Sequence, residues 1–239
     1  MKVLVLGHTG MLGHMVVKYF LNKNIDIKTI QHKFPSEEFI NEVKLFDGDY
    51  IINCIGAIPQ KTKVFNINIE LPIWLSDNIN VKVIHPGTDC EIDNDDYGVS
   101  KRLASEYIIN NSQNTKILKA SIIGPELNSK SSLLEWFLNS KADVKGYTKA
   151  MWSGVTTLEW SKQCINLINN WDRYKKENII QSTCLSKYDL LNLMKEVFNK
   201  NINISSNDNI IVNKCLTGDI KTKPIKEQLI ELKEYYYDN

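Results

Sequence analysis

Hydrophobic and polar positions follow a regular rhythm over the first half of the chain. Residues 3–6 (VLVL) are apolar without a break, and residues 50–55 (YIINCI) nearly so. Continuous apolar runs of this length suit strands covered by helices on both faces, where both sides of the pleat are buried. Short apolar runs at 25–30, 81–85 and 116–123 predict three more strands. Between them, apolar residues recur at helical spacing over 11–21, 36–45, 64–77 and 97–111. Strands and helices alternating in this way predict an α/β fold, a doubly wound parallel sheet.

After about Gly124 the rhythm changes. Helical patterns at 130–140, 157–170, 186–198 and 225–236 are separated by short strand candidates at 179–182, 202–205 and 210–212. Ser186 with Asp189 three residues on reads as a helix N-terminus, a relative of the capping box. The expectation is a first domain over 1–124 and a smaller α+β part over 125–239, interleaved with the first. Trp136, Trp160 and Trp171 fall in helical patterns and are expected to pack in the core or between helices; Trp152 falls in a loop-like stretch.

Composition narrows the function classes. The 239 residues carry Lys+Arg 29 against Asp+Glu 28, a net charge of +1. A dedicated nucleic-acid binder would show a basic excess, so nucleic acid is not an expected partner. Only Arg102 and Arg173 are arginine, so a phosphate site must rest on Lys and backbone N–H groups. No apolar stretch approaches the roughly 18 residues of a membrane span, and no signal segment is evident. A cytoplasmic location without a membrane partner is expected. The cysteines (Cys54, Cys90, Cys164, Cys184, Cys215) are odd in number and lack a C-x-x-C, which predicts reduced thiols. The four histidines show no metal-ligand spacing, so no metal site is expected.

The glycines are more informative. Gly7, Gly10 and Gly13 lie within seven residues, directly after the first strand and opening the first helix. Such a loop needs glycine three times over: for a tight turn, for close approach of a pyrophosphate, and for helix–sheet packing. Free N–H groups at the helix start then face the phosphates. The loop Gly7, Thr9, Gly10, Met11, Leu12 and Gly13 is therefore a candidate dinucleotide cradle. After the second strand stand Gln31, His32 and Lys33, with no acid before Glu37. A carboxylate there would accept the ribose 2′-hydroxyl of NAD; His32 and Lys33 would attract a 2′-phosphate. NADP(H) is the expected cofactor, with NAD(H) as the alternative.

Tyr97 and Lys101 stand at i and i+4 on one helical face. A phenol is sluggish as an acid at neutral pH, and an ammonium one turn away lowers its pKa. Thr88, just after the fourth strand, can hydrogen-bond the same substrate oxygen. Thr88, Tyr97 and Lys101 are the candidate catalytic residues.

With these pieces in place, the chain resembles the extended short-chain dehydrogenase/reductase superfamily, whose first domain is a Rossmann fold. Within it the chain is similar to the dTDP-4-dehydrorhamnose reductase-like group. The matching segments are GHTGMLG at 7–13, NCIGA at 53–57, NIELP at 68–72, GTDC at 87–90, YGVSK at 97–101, KASIIG at 119–124 and GYTKAMWSGVTTLEW at 146–160. The resemblance implies reduction of a 4-keto-6-deoxy nucleotide-sugar by NADPH, in deoxysugar or surface polysaccharide biosynthesis. It makes Tyr97 the proton donor and Lys101 the ribose anchor. It places Ile55, Gly56 and Ala57 along the cofactor and Ser121 at its nicotinamide end. Asp89, Trp152 and the region from Ser131 would meet the nucleotide-sugar, between the two halves. Lys119 stands where the family usually has arginine, and the connection from Thr88 to Tyr97 is shorter than usual. Two other activities stay open: an epimerase or dehydratase holding NAD tightly, or a non-catalytic NADP-binding protein. A homodimer is compatible with the resemblance.

Overall fold

The computed structural model describes residues 1–238. In chain order the elements are β1 (Lys2–Leu6), α1 (Met11–Leu21), β2 (Asp26–Thr29), α2 (Glu37–Lys44), β3 (Tyr50–Asn53), α3 (Ile67–Asn78), β4 (Lys82–Gly87), α4 (Asp96–Asn111), β5 (Thr115–Lys119), β6 (Ile122–Ile123), α5 (Leu133–Asn139), β7 (Val144–Tyr147), β8 (Ala150–Trp152), β9 (Val155–Thr156), α6 (Thr157–Asn169), β10 (Glu177–Gln181), β11 (Leu185–Ser186), α7 (Lys187–Val197), β12 (Ile204–Asn207), β13 (Val212–Lys214), β14 (Ile220–Lys221) and α8 (Ile225–Tyr236). Single 3₁₀ turns lie at Asp89–Ile92 and Trp171–Arg173.

The predicted α/β sheet is present, as a seven-stranded sheet in the order β14-β10-β5-β4-β3-β1-β2. Its pairs β1–β2, β1–β3, β3–β4 and β4–β5 are all parallel. The order reverses between β1 and β3. In doubly wound sheets the crevice outside the carboxyl ends of the strands at such a switch point is where ligands bind.

The chain separates into two compact units. The first comprises 1–119 and 161–178, the second 120–160 and 179–238 of the described residues. In the first, Leu4, Leu6, Ile51 and Val83 on the strands meet Phe39 and Val43 of α2 and Leu71 and Leu75 of α3 in one buried cluster. All residues of β3 are buried, as its apolar run requires. Pro72 lies in α3 without ending it. In the second unit, α7 packs against α8 and β7. Its small sheets are β11-β8-β13, β12-β7 and β6-β9.

Several expectations need correction. The predicted strand over 116–123 is two strands, β5 and β6, which join different sheets. Trp152, expected in a loop, ends β8 and is buried. Trp160 is buried as expected, but Trp136 is 41% exposed on α5 and Trp171 lies in a 3₁₀ turn. The cysteines are not all thiols: Cys184 and Cys215 form a disulfide with Cα atoms 5.6 Å apart. Cys184 precedes β11 and Cys215 follows β13, and both strands flank β8. Sequence spacing carries no sign of this, because the two cysteines lie 31 residues apart and only strands of one small sheet bring them together.

Candidate active site

The glycine loop sits at the carboxyl end of β1, and each glycine has a separate structural reason. Gly7 has a φ of +75°, which other residues rarely adopt. A Cβ on Gly13 would lie 2.1 Å from the Gly7 carbonyl oxygen, so the helix approaches the turn too closely for any side chain. Gly10 differs: its Cβ would meet only that same oxygen, at 3.3 Å. Gly10 is also the N-cap of α1 and provides no side-chain cap. The first N–H groups of a helix lack intrahelical partners, so this bare helix start suits a phosphate. His8 Nδ1, in the same loop, is buried without a partner among the described residues. A loop with a bare N-cap and an orphaned buried nitrogen fits a dinucleotide pyrophosphate. Thr9, Met11 and Leu12 complete it; Thr9 is exposed and Leu12 is buried.

Beyond β2, His32 and Lys33 are both exposed. His32 Nε2 lies 3.3 Å from Glu42 Oε1, an acid on α2 that linear distance from the strand did not bring into view. Gln31 Nε2 reaches His8 Nε2 at 3.2 Å, tying this segment to the glycine loop.

At the carboxyl end of β3, Ile55, Gly56 and Ala57 form an irregular stretch pinned by two asparagines. Asn53 Oδ1 accepts from the Ile55 N–H at 3.1 Å. Asn68 on α3 accepts from Ala57 N–H at 2.8 Å and donates to Ala57 O at 3.0 Å. The same Asn68 donates to Ser100 Oγ at 3.1 Å, which couples the stretch to α4. Asn68 is 1% exposed, so these bonds form out of competition with water.

Thr88, Tyr97 and Lys101 come together at the carboxyl end of β4. The short connection between them is compact. Thr88 caps the 3₁₀ turn Asp89–Ile92 in a capping box with Glu91. Asp95 then caps α4, accepting from Gly98 N–H at 2.7 Å. Arg102 Nη1 donates to the carbonyls of Glu91 at 2.8 Å and Asp93 at 3.0 Å. Gly98 is required here, since its Cβ would fall 2.4 Å from Cys90 O.

The Tyr97 hydroxyl lies beside Thr88, whose hydroxyl favours the ionised phenol. Its ring packs edge-on to Phe65 at 5.7 Å. Burial pushes the phenol up from its ordinary pKa, opposite to the lowering expected from Lys101, with Cys90, Asp89 and Glu91 adding to the rise and Thr88 opposing it. Thr88 Oγ1 donates to Asp89 Oδ1 at 3.0 Å, and Asp89 is 3% exposed. Asp89, expected toward substrate, has one carboxylate oxygen engaged by Thr88 within this turn.

Lys101 is buried, with Nζ donating to Pro86 O at 2.9 Å and lying 3.3 Å from His85 Nε2. Burial pulls its pKa down to about 8, Glu91 opposing and Lys119 reinforcing the fall. Burial likewise holds His85 neutral, with Lys101 adding to the effect. Asn53 Nδ2 contacts His85 Nδ1 at 3.2 Å. Asn53, Asn68, His85 and Glu91 support the site without having been singled out as candidates from sequence. Two of them stood inside the quoted segments NCIGA and NIELP, but their partners His85 and Ser100 lie 32 residues away.

Ser121 and Trp152 belong to the second unit. There Trp152 Nε1 donates to Ser121 Oγ at 2.7 Å, so the indole nitrogen is engaged within its own unit.

Comparison with solved structures finds this fold repeatedly. A dTDP-4-dehydrorhamnose reductase from Clostridium acetobutylicum superposes with a TM-score of 0.74 at 17% identity, covering 98% of this chain and 99% of that one. The dTDP-4-dehydrorhamnose reductase of Bacillus anthracis, in complex with NADP, gives a TM-score of 0.77 at 14% identity over 100% and 99% of the two chains. The dTDP-glucose 4,6-dehydratase of Bacillus anthracis, in complex with NAD, gives 0.77 at 13% identity over 100% and 97%. No family model matches the chain, and no curated protein sequence does. At these identities the likeness establishes that the chain shares the fold of these reductases and of the dehydratase.

Proposed function

We propose that this protein is an NADPH-dependent reductase of a keto nucleotide-sugar, of the 4-keto-6-deoxy class. The observation that carries the reading is the placing of Tyr97 beside Thr88, with Lys101 one turn away, on the sheet edge that also carries the glycine loop. Because β1, β3 and β4 run parallel, their carboxyl ends share one edge, and phosphate cradle and acid meet there. The fold likeness to reductases, one of them in complex with NADP, supports the same reading.

In this reading Gly10–Gly13 and the start of α1 hold the pyrophosphate. His32 and Lys33 favour a 2′-phosphate, and Ile55–Ala57 line the cofactor's path. NADPH, when bound, supplies the hydride. Tyr97 delivers its proton to the oxygen of the reduced carbonyl, while Thr88 orients that oxygen. Burial keeps the phenol protonated until the oxygen becomes basic enough to take the proton. Lys101 holds the nicotinamide ribose, and its ammonium offsets the negative charge left on Tyr97 when the proton departs. General acid assistance of this kind is worth about 10²–10⁴ in rate. The second unit, with Ser121 and the stretch from Ser131, is assigned to the nucleotide-sugar. The expected partners are thus small molecules, with cytoplasmic deoxysugar synthesis as the setting.

The test is a panel of freshly prepared 4-keto-6-deoxy nucleotide-sugars, assayed by NADPH oxidation with Tyr97→Phe as control. Turnover by the wild type and its loss in the variant are expected. Turnover that survives Tyr97→Phe overturns the assignment of the acid. Tightly held NAD in the purified protein would replace the reductase reading with the epimerase or dehydratase one.

A further inference from the structure

One cluster of charge beside the site, Glu91, Lys119 and Glu177, has no assigned task in the reduction; it is buried at Glu91 and partly exposed at Lys119 and Glu177. Glu91 is 7% exposed. Its Oε1 accepts from the Thr88 N–H at 2.9 Å, and its Oε2 lies 2.7 Å from Lys119 Nζ. Lys119 pairs with Glu177 as well. A capping acid on a short surface turn can work from solvent; this one is desolvated and requires a counter-charge, which Lys119 supplies. The strand end is shaped to admit the pair. A Cβ on Gly87 would stand 3.0 Å from Glu91 Oε1 and 3.0 Å from Lys119 Cβ.

The cluster also bears on Lys101. Lys101 Nζ lies on the carbonyl of Pro86 and beside His85 of β4, and the Thr88 N–H that Glu91 holds is only two residues further along the same strand end; Lys119 of β5 pairs with Glu91 there, with Glu177 of β10 behind Lys119. Tyr97 stands one turn away on its own helix. Among these, Glu91 opposes the effect of burial on Lys101 and Lys119 reinforces it.

We propose that Glu91 is a positioning residue for the reduction: one carboxylate oxygen fixes the main chain at Thr88, and the other, clamped by Lys119, holds a negative charge beside Lys101. The role in turnover rests on the reductase reading; the charge on Lys101 does not, and the two are tested separately.

The electrostatic arm uses protein carrying ¹³C-labelled lysine, with the Lys101 signal assigned by its loss in Lys101→Arg. Its titration is followed by NMR without any substrate. Glu91→Gln keeps an acceptor for the Thr88 N–H and removes the charge, so the Lys101 midpoint is expected to fall by about one pH unit. Glu91→Gln with Lys119→Met removes both opposing charges, and the midpoint should return toward the wild-type value. Such reversal is not expected of mere loosening of the fold. Should the neutral variants fail to fold, Glu91→Asp keeps the charge on a shorter arm. Its Lys101 midpoint should stay near wild type while kcat falls.

The turnover arm compares Glu91→Gln with Glu91→Ala. The alanine variant also loses the Thr88 anchor and should lose more kcat, with KM for the nucleotide-sugar little changed. A Lys101 midpoint indifferent to Glu91→Gln overturns the electrostatic role. Equal kcat in the glutamine and alanine variants overturns the anchoring role. A wild type that turns over no keto nucleotide-sugar refutes the reductase reading and leaves the titration result standing.

Discussion

Alanine at two glycines of the same loop should produce two different failures. In Gly13→Ala the new Cβ falls 2.1 Å from Gly7 O, 2.8 Å from Gly7 C and 3.0 Å from His8 Cα. The first contact is roughly 1.4 Å inside the van der Waals optimum. All three neighbours are backbone, so relief requires moving α1 away from β1 rather than turning a side chain. Overpacking of a core contact costs about 1–3 kcal/mol, and a rigid backbone contact belongs at the upper end. For a chain of this size that is a loss of about 6–12 °C in melting temperature. Gly10→Ala meets a single atom at 3.3 Å, with backbone angles (φ −77°, ψ 169°) open to any residue. Its cost is the weaker N-cap, about 0.5–1 kcal/mol. Its methyl, however, projects where a pyrophosphate would approach. Melting curves and NADPH titration by fluorescence separate the two. Gly13→Ala should lose stability first, whereas Gly10→Ala should keep its melting temperature within a few degrees and lose NADPH affinity. A Gly13→Ala protein as stable as Gly10→Ala refutes the packing argument, and undiminished affinity in Gly10→Ala refutes the cradle.

Other outcomes follow from the same geometry. Tyr97→Phe should lower kcat by about 10²–10⁴ while NADPH affinity is retained, measured on the substrate that the panel identifies. Lys101 has a pKa pulled from 10.5 down to about 8, so turnover that needs its ammonium should decline above about pH 8. In that window the unfolded chain binds the proton that the folded chain has released, so this group adds stability as pH rises from about 8 toward 10.5. Urea unfolding should show wild type gaining on Lys101→Met across that range, by at most roughly 3 kcal/mol; a declining difference would reverse the sign of the argument. Removing the Cys184–Cys215 link, which closes 31 residues, should cost about 3–4 kcal/mol by the chain-entropy relation. Equal melting temperatures with and without dithiothreitol, in protein whose disulfide content has been verified, would contradict that figure.

Much of the first unit was legible because its signals are local. An all-apolar strand implies cover on both faces, and β1 and β3 are buried accordingly. A strand, three spaced glycines and a helix imply one turn geometry, and Gly7 and Gly13 occupy it. Tyr97 and Lys101 needed only the helical repeat to share a face. The second unit was harder to read. Its strands β7, β8 and β9 are two to four residues long, too short for a period to register, and their partners lie far along the chain.

What the sequence alone determined, therefore, is everything set by neighbours within about one turn: the alternation of elements, the glycine cradle and the Tyr97–Lys101 face. Tertiary structure decided the rest, because burial and charge depend on what arrives from elsewhere. It turned Lys101 toward Pro86 and His85, paired Cys184 with Cys215, and brought Lys119 of β5 against Glu91 of a turn near β4. None of these contacts has a signature in local spacing, since each depends on how distant segments pack and which groups that packing removes from water.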